Sequence, residues 1–337
     1  MNRRQALHAT AMIGAASVLG IPELKAAPVK GKTPPLTTEE IAAIEAAMGK
    51  KGTYKEDEAL HTTSLPRNDL KIKVKGEPVP ISFGFGGWAS IKKTVDGKSA
   101  MLMSDTVLLQ EEVNPLISAA HANGLEVSAI HNHFFYEEPR IFYMHLHGMG
   151  APAELARKFA ATISQSKISP ANQPKGTATA PSAQSGNTAA ASASPPTAKK
   201  AFDLPSLDAI VKHTGTENGP TYKYTVGRED LTVMAMGVEL TQSIGLNSWA
   251  SFAGTKGKAH IAGDIAMLEP EVNPVIAALR RNNLEVVALH NHMLGDDPRM
   301  IFLHYYGQGE ASALARGFRA ALDELGKHGK TLNHSKH

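Results

Sequence analysis

The chain has 337 residues, of which 42% are hydrophobic and 20% are charged, a size and composition usual for two domains with substantial cores. Its formal net charge is +3. Part of this excess lies at the two ends, so the middle lacks the basic patch typical of nucleic-acid-binding proteins. The chain contains no cysteine, which excludes disulfides, thiolate nucleophiles, cysteine-ligated zinc and a lipidated N-terminal cysteine.

The first 27 residues have the features of an export signal. Arg3-Arg4 precede an apolar run over 11–20, and small residues follow at Ala26-Ala27. The run is too short to span a bilayer stably and has signal-peptide proportions. The paired arginines indicate the twin-arginine route. We therefore expect residues 1–27 to be a signal peptide, with a disordered basic N-terminus as the alternative.

Three helices are predicted in the first half of the chain. Thr37 and Glu40 form a capping box ahead of an apolar run, and Gly49 suits the end of that helix. Asn114-Pro115 fits the N-cap and first-turn proline of a second helix, which we expect to end at Asn123-Gly124. A third helix is expected over 154–163.

Short strands are predicted between these helices, where apolar residues alternate with polar ones. They cover the ranges 70–74, 79–85, 88–91, 101–103, 125–132 and 140–146. The connections of the last hairpin are too short for parallel crossovers, so we expect antiparallel pairing.

The second half of the chain repeats the first. Trp88-Ala89-Ser90 matches Trp249-Ala250-Ser251, and Glu112-Val113-Asn114-Pro115 matches Glu271-Val272-Asn273-Pro274. The offset is 161 residues before the tryptophans and 159 from Ser104 onward, so one small deletion separates the copies. The predicted fold class is therefore α+β, with two homologous domains, each an antiparallel sheet with helices packed on one face.

A low-complexity segment separates the two copies. Residues 164–200 are rich in Ala, Ser, Thr and Pro, and they contain almost no large apolar side chain. Such a segment cannot bury enough surface to offset its ordering entropy, so we expect a disordered linker. The first domain should cover 34–163 and the second 201–326, and a disordered tail should cover 327–337.

Histidines are concentrated in two short windows of the sequence. Seven of the fifteen fall in 131–147 and 290–304, in the pattern His-Asn-His, a Pro-Arg step and a further His. Neutral imidazole is the commonest protein metal ligand, so this clustering predicts a metal site. The candidate ligands are His131, His133 and His145 in the first copy and His290, His292 and His304 in the second.

Strand geometry explains how each trio could meet. His131 and His133 share a face because side chains alternate along a strand. If His131 lies opposite His145 on the return strand, the three rings can converge on one ion. A one-residue slip would turn His145 to the other face, so the expectation depends on register. The alternatives are a metal-free polar pocket and structural hydrogen bonding.

Carboxylates lie in the turn that connects the two strands of each hairpin. Glu138 and Asp297 are candidate general bases on a metal-bound water, or fourth ligands. The alternative is that they are ordinary solvated turn residues.

Arginines follow the hairpin prolines in both copies. Arg140 and Arg299 could bind an anionic substrate bidentately. The alternative is a structural ion pair with the glutamate of the neighbouring strand, Glu126 or Glu285.

Other recurring residues are expected to be structural. Asp105 and Asp264 each close a predicted strand before a turn, so we expect them to cap or shape that turn. Trp88 and Trp249 are expected to be core anchors rather than a sugar-stacking platform.

The combined motif of Glu-Val-Asn-Pro, Leu-Glu-Val, His-Asn-His, Pro-Arg and a further His resembles the LppY/LpqO family of exported proteins, over about 36–163 and 202–325. This resemblance implies an exported or cell-envelope protein without an established activity. The namesakes are lipoproteins, whereas this chain lacks the cysteine required for a lipid anchor.

These observations predict a soluble periplasmic or secreted protein that binds a transition metal. The Irving–Williams order favours zinc or copper at such nitrogen sites. If the protein is an enzyme, metal-assisted hydrolysis is the expected reaction. The alternatives are a non-catalytic metal-binding or buffering protein and a metal-free module that binds an anionic small molecule or glycan. The expected partner is an unidentified small molecule, with no nucleic acid and no integral membrane segment after signal removal.

Overall fold

A computed structural model of the protein describes residues 32–168 and 197–327. The predicted signal peptide, most of the predicted linker and nearly all of the predicted tail lie outside these described residues. Within them, no helix combines the length and the apolar character that crossing a membrane would require.

The first repeat contains three α-helices and nine strands in its described part. The helices are α1 (Thr38–Met48), α2 (Gln110–Ala122) and α3 (Pro152–Ile163). The strands are β1 (Thr53–Lys55), β2 (Leu60–Pro66), β3 (Ile72–Val74), β4 (Glu77–Val79), β5 (Gly86–Lys93), β6 (Ala100–Leu109), β7 (Glu126–His131), β8 (Glu137–Glu138) and β9 (Ile141–Gly150). A 3₁₀ helix spans Ile81–Phe83.

The second repeat has the same order of strands. They are β10 (Thr216–Asn218), β11 (Thr221–Gly227), β12 (Val233–Ala235), β13 (Val238–Leu240), β14 (Asn247–Thr255), β15 (Lys258–Leu268), β16 (Glu285–His290), β17 (Asp296–Asp297) and β18 (Met300–Gly309). The helices are α4 (Ala198–Ala201), α5 (Leu204–Val211), α6 (Val272–Arg281) and α7 (Ala311–Leu322), with 3₁₀ helices over Gln242–Ile244 and Glu269–Glu271.

The ends of the predicted helices follow their capping residues. The capping box of α1 is present, with the Glu40 N–H donating to Thr37 Oγ1, and Gly49 ends the helix at a φ of 66°. The predicted start of α2 at Asn114 is wrong, because the helix begins at Gln110. The Glu112 carboxylate accepts the Leu109 N–H at 2.8 Å, which caps the helix one turn earlier than expected.

Each repeat is built on one large antiparallel sheet, so the predicted α+β class is confirmed. The strand orders are β1-β2-β5-β6-β9-β7 and β10-β11-β14-β15-β18-β16. One face of each sheet packs against the helices of its own repeat. In the first repeat, inward residues such as Ile91 and Leu102 meet Leu116 and Phe159 of the helices.

The opposite face of each large sheet packs against the other repeat. Each repeat also has a small three-stranded sheet, β4-β3-β8 in the first and β13-β12-β17 in the second. The small sheet of each repeat packs against the large sheet of the other repeat. Met101 and Met103 of the first repeat share a core with Val233 and Leu240 of the second. Val107 and Tyr143 share another with residues that include Tyr306. Both faces of each large sheet are therefore buried.

Polar contacts also join the two repeats. Ser128 Oγ donates to the His292 carbonyl at 2.6 Å, and Asn291 Nδ2 donates to the Ser128 carbonyl at 2.9 Å. Lys75 pairs with Glu285 at 2.5 Å. These bonds lie beside the His-Asn-His segments and fix the two segments against each other.

Candidate metal centre between the repeats

All six predicted histidines lie together where the two large sheets face each other, and all six side chains are buried. The rings of His131 and His290 stack across the interface, with centroids 3.8 Å apart. His133 and His304 form a second contact across the interface, at 3.7 Å. The structure thus brings the two trios into one cluster rather than two separate sites.

The register assumed from the sequence is wrong, although the rings still meet. Ala129, not His131, lies opposite His145, and His131 lies opposite Tyr143. A register shift between Val127 and Ala129 displaces the pairing. The second repeat shifts at the matching place, between Val286 and Ala288, so both copies share this irregularity. His131 is then diagonal to His145, and their Nε2 atoms are 2.9 Å apart.

The histidine nitrogens form two groups that could hold a metal ion. One group is His131, His290 and His304, and the other is His145, His290 and His292. The ligand atoms within each group all lie within 4.8 Å of one another. Both groups draw on both repeats and share His290, whereas the sequence predicted one trio per copy. His133 belongs to neither group and instead stacks on Tyr143, with centroids 3.2 Å apart.

Two backbone carbonyls set the orientation of the third histidine in each copy. His145 Nδ1 donates to the Ser104 carbonyl at 3.1 Å, and His304 Nδ1 donates to the Gly263 carbonyl at 3.0 Å. Because each Nδ1 carries the proton, each Nε2 presents a lone pair to the cluster. Metal-binding histidines are oriented by bonds of this kind.

Burial keeps the cluster histidines neutral. It lowers the pKa of His145 to about 4 and that of His304 to about 3. The pKa of His131 and that of His290 are also lowered, first by burial and then by the neighbouring histidines. At neutral pH the imidazoles are therefore unprotonated on one nitrogen, which is the form that binds a metal.

Asp105 and Asp264 belong to the site, although the sequence suggested a turn role for them. Both lie inside long strands, β6 and β15, directly opposite His145 and His304. The Asp264 carboxylate is 3.2 Å from His292 Nε2 and 3.9 Å from His304 Nε2. Their recurrence at matching positions inside mostly apolar segments of both copies was the sequence signal that could have revealed them.

Burial strongly perturbs both carboxyls. It raises the pKa of Asp264 to about 8. The pKa of Asp105 is raised well above its ordinary value by burial and by the charge of Asp264. One oxygen of each carboxyl, Oδ1, has no hydrogen-bond partner in the described part of the chain, and neither has Nε2 of His290 or of His304. Buried polar atoms are usually satisfied, so these atoms fit a cluster that receives a cation.

A cavity of about 800 Å³ leads to this cluster. Its walls come from both repeats, and its lining includes Asp105, Asp264, His133, His292 and His304. Trp88 packs against the shared core, as expected of a core anchor, and both Trp88 and Trp249 also line the cavity. A ligand that enters this cavity can therefore reach the histidines.

The predicted turn residues lie away from this cavity. Glu138 and Asp297 are exposed on β8 and β17, where they pair with Lys73 and Met234 of the small sheets. None of the residues that line the cavity comes from these two turns.

The two predicted arginines are exposed and do not line the cavity either. Arg140 donates to the Phe135 carbonyl at 3.3 Å and lies 3.7 Å from Glu137. The glutamates considered as their ion-pair partners bind other residues, because Glu126 accepts from His147 and Glu285 pairs with Lys75.

A family model described as Domain of Unknown Function (DUF1259) matches the chain twice, over residues 42–165 and 205–324. None of the curated proteins searched matches the chain. Two solved structures are similar to it at low identity. EtuB from Clostridium kluyveri is 8% identical, covering 72% of this chain and 87% of that one, with a TM-score of 0.18. The trimeric bacterial microcompartment shell protein PduB is 9% identical, covering 81% and 89%, with a TM-score of 0.19.

Proposed function

The chain belongs to the family described as Domain of Unknown Function (DUF1259), and we propose that it binds a transition-metal ion between its two repeats. The ligands are drawn from the two overlapping groups, His131 with His290 and His304, and His145 with His290 and His292. The ion is held at the interface, so neither repeat supplies a complete site.

The observation that carries this proposal is the pair of oriented nitrogens. His145 Nε2, whose lone pair is fixed by the Ser104 carbonyl, belongs to the group with His290 and His292. The ligand atoms of that group all lie within 4.8 Å of one another. His304 is oriented in the same way from the other repeat.

The shared histidine limits the number of ions. His290 Nδ1 donates to the Asn291 carbonyl at 3.3 Å, whereas His290 Nε2 has no hydrogen-bond partner in the described residues. Nε2 is therefore the nitrogen left for a metal, and the two groups compete for it. We therefore expect one tightly bound ion per chain. The Irving–Williams order favours copper or zinc at a site made of imidazoles.

The open cavity favours metal-assisted hydrolysis over simple metal storage. A bound metal ion would lower the pKa of a water molecule coordinated to it. Asp264 is the side chain placed to exchange a proton there, because it lies between His292 and His304 and lines the cavity. It takes the role that the sequence assigned to Glu138 and Asp297. A protein that only buffers metal has no need of an 800 Å³ cavity beside the ligands.

We also propose that the protein works outside the cytoplasm. The basis is Arg3-Arg4 with the apolar run that follows, together with the resemblance to the exported LppY/LpqO proteins. Replacing Arg3-Arg4 with Lys-Lys is expected to retain the protein in the cytoplasmic fraction. Unchanged export of that variant would refute the twin-arginine route.

Metal analysis of the full chain tests the binding proposal. Protein purified without a metal-affinity column is expected to hold about one equivalent of zinc or copper. His290→Ala should lose it, because this residue belongs to both groups. His61→Tyr is the matched control: His61 is also buried, and the second repeat carries Tyr222 at the corresponding position. Equal metal content in the two variants would overturn the proposal.

A further inference from the structure

The two repeats line the cavity with residues from matching positions. Offsets of 161 and 159 residues pair Ser64 with Thr225, Trp88 with Trp249, and Asp105 with Asp264, and all six line the cavity. A further matched pair differs in charge, because Thr62 lines the cavity in the first repeat and Lys223 takes its place in the second. Lys51 and Lys55 line the cavity from the first repeat. The two repeats therefore place their cavity lysines at different positions.

Lys223 has no fixed polar partner within the described residues. Thr62 bonds to Ser90 Oγ at 2.8 Å, whereas no hydrogen bond or ion pair of the described residues involves the Lys223 side chain. Its Nζ lies 4.7 Å from the centre of the Trp249 ring instead. This cation–π contact positions the ammonium but leaves its hydrogen-bond donors available.

The other lysines of the cavity do not offer the same arrangement. Lys55 lies 3.6 Å from Glu58 and bonds to Ser243 Oγ at 2.6 Å, and Lys51 is exposed. Lys223 thus combines three properties: proximity to a tryptophan, partial burial, and free donors.

We propose that this cavity binds a small organic oxyanion, a carboxylate or a phosphate ester, through Lys223. The anionic group accepts hydrogen bonds from Nζ, and the body of the ligand packs against Trp249 and Trp88. The other end of the ligand lies toward Asp264 and the histidines. This inference assigns a substrate class to the proposed metal site. It rests on the proposed function because it places the reacting end of the ligand at that site.

Tryptophan fluorescence gives a direct readout, because the only two tryptophans of the whole chain both line this cavity. The full chain, treated with a chelator, is titrated with three probes that share a six-carbon polyhydroxy skeleton: glucose, gluconate and glucose 6-phosphate. A saturable change is expected with at least one anionic probe and not with neutral glucose. Which anion binds distinguishes a carboxylate ligand from a phosphate ligand. An equal response to glucose would overturn the proposal.

Variants then locate the anion. Lys223→Thr converts the position to the residue of the first repeat and is expected to weaken anion binding about tenfold or more. Lys51→Thr makes the same charge change at an exposed cavity residue and should change affinity little. In the double variant Thr62→Lys/Lys223→Thr, binding should be recovered from the opposite wall. Unaltered affinity in Lys223→Thr would refute the assignment.

The metal content of Lys223→Thr separates this inference from the proposed function. We expect it to equal that of the wild-type chain, because Lys223 belongs to neither histidine group. Lys223-dependent anion binding in a protein that contains no metal as purified, before any chelator is added, would refute the metal site and leave the oxyanion site standing. Metal binding without any response to the anionic probes would refute the oxyanion site and leave the metal site standing.

Discussion

At the scale of single residues, the site depends on side chains that a neighbouring backbone atom orients. The Ser104 and Gly263 carbonyls hold His145 and His304 by Nδ1, so that the opposite ring nitrogen is available. The matched residues, Ser104 and Gly263, are not interchangeable, however. Gly263 leaves room for Tyr305, whose hydroxyl donates to the Trp249 carbonyl at 3.2 Å.

Gly263→Ala is expected to destabilise the protein. A Cβ at this position would lie 2.1 Å from the Trp249 carbonyl oxygen and 2.3 Å from the Tyr305 hydroxyl, so the backbone must shift. Overpacking of this kind costs about 1–3 kcal/mol of unfolding free energy. Gly257→Ala is the control, since nothing lies within 4 Å of its Cβ. Denaturant midpoints that match for the two variants would contradict the packing described here.

The metal-free protein should lose stability as the pH falls from about 6.5 toward 4. Burial lowers the pKa of His145 to about 4 and that of His304 to about 3, so below 6.5 the unfolded chain takes up protons that the folded chain does not. Asp264, with its pKa raised to about 8, has the opposite effect, because its stabilising proton is lost as the pH rises. The six neutral histidines outnumber the two aspartates, so the net stability should decrease on acidification.

Urea unfolding in the presence of a chelator, at pH values between 7 and 4, measures this dependence. Each buried neutral histidine contributes a slope of about 1.4 kcal/mol per pH unit within its window. Stability that stays constant or increases toward pH 4 would show that the histidines are not held neutral.

At the scale of secondary-structure elements, a buried ion pair joins the end of β2 to the start of α2. Arg67 is fully buried, and its Nη1 donates to Glu112 at 2.7 Å and to the Val107 carbonyl at 2.7 Å. The second repeat has the same arrangement in Arg228 and Glu271. Glu112 also caps the first turn of α2, so this one pair fixes both a strand end and a helix start.

Arg67→Met is expected to lower the free energy of unfolding by about 3–5 kcal/mol, because it leaves the Glu112 carboxylate buried without its partner. Lys158→Met, in the exposed pair with Glu154, is the contrasting variant and should cost less than about 1 kcal/mol. Comparable losses in the two variants, measured by urea denaturation, would mean that the buried pair has no special role.

Local sequence patterns predicted the helices and several strands of the first repeat, but they missed β1 and β2, and the strand predicted over 79–85 is wrong because Ile81–Phe83 form a 3₁₀ helix. The capping box of α1, the glycine at its end and the helix that closes the first repeat are all present, since each depends on residues a few positions apart. The strand register could not be predicted. Both copies contain an irregularity, between Val127 and Ala129 and between Val286 and Ala288, that the alternation of side chains along the sequence does not reveal.

The six histidines could be identified from their spacing, but their grouping could not, because it crosses the repeat interface. The same limit applies to Lys223, whose surroundings become visible only when the two repeats close the cavity together.

At the scale of the whole molecule, the two repeats form one structural unit. Met101, Met103 and Leu60 on the outer face of the first sheet are fully buried, and the residues that cover them include Val233 and Leu240 of the second repeat. A single repeat would expose this apolar face to water. Duplication within one chain therefore supplies both the shared core and the two halves of the metal site.

A protease site inserted between residues 169 and 196 tests this unity. After cleavage, the two halves are expected to elute as one particle that retains its metal, because the shared cores and the histidine cluster do not depend on the chain connection. Size-exclusion chromatography with metal analysis provides the readout. Halves that separate in native buffer, each with its own metal, would contradict a shared site.

The most direct measurement is an anomalous difference map from crystals of the full chain that retain the metal with which the protein was purified. We predict one strong peak within about 2.0–2.3 Å of a ring nitrogen of His290 and of at least one histidine of the first repeat, His131 or His145. A peak surrounded by histidines of a single repeat, or no peak at this cluster in a metal-containing protein, would contradict a metal site shared between the repeats.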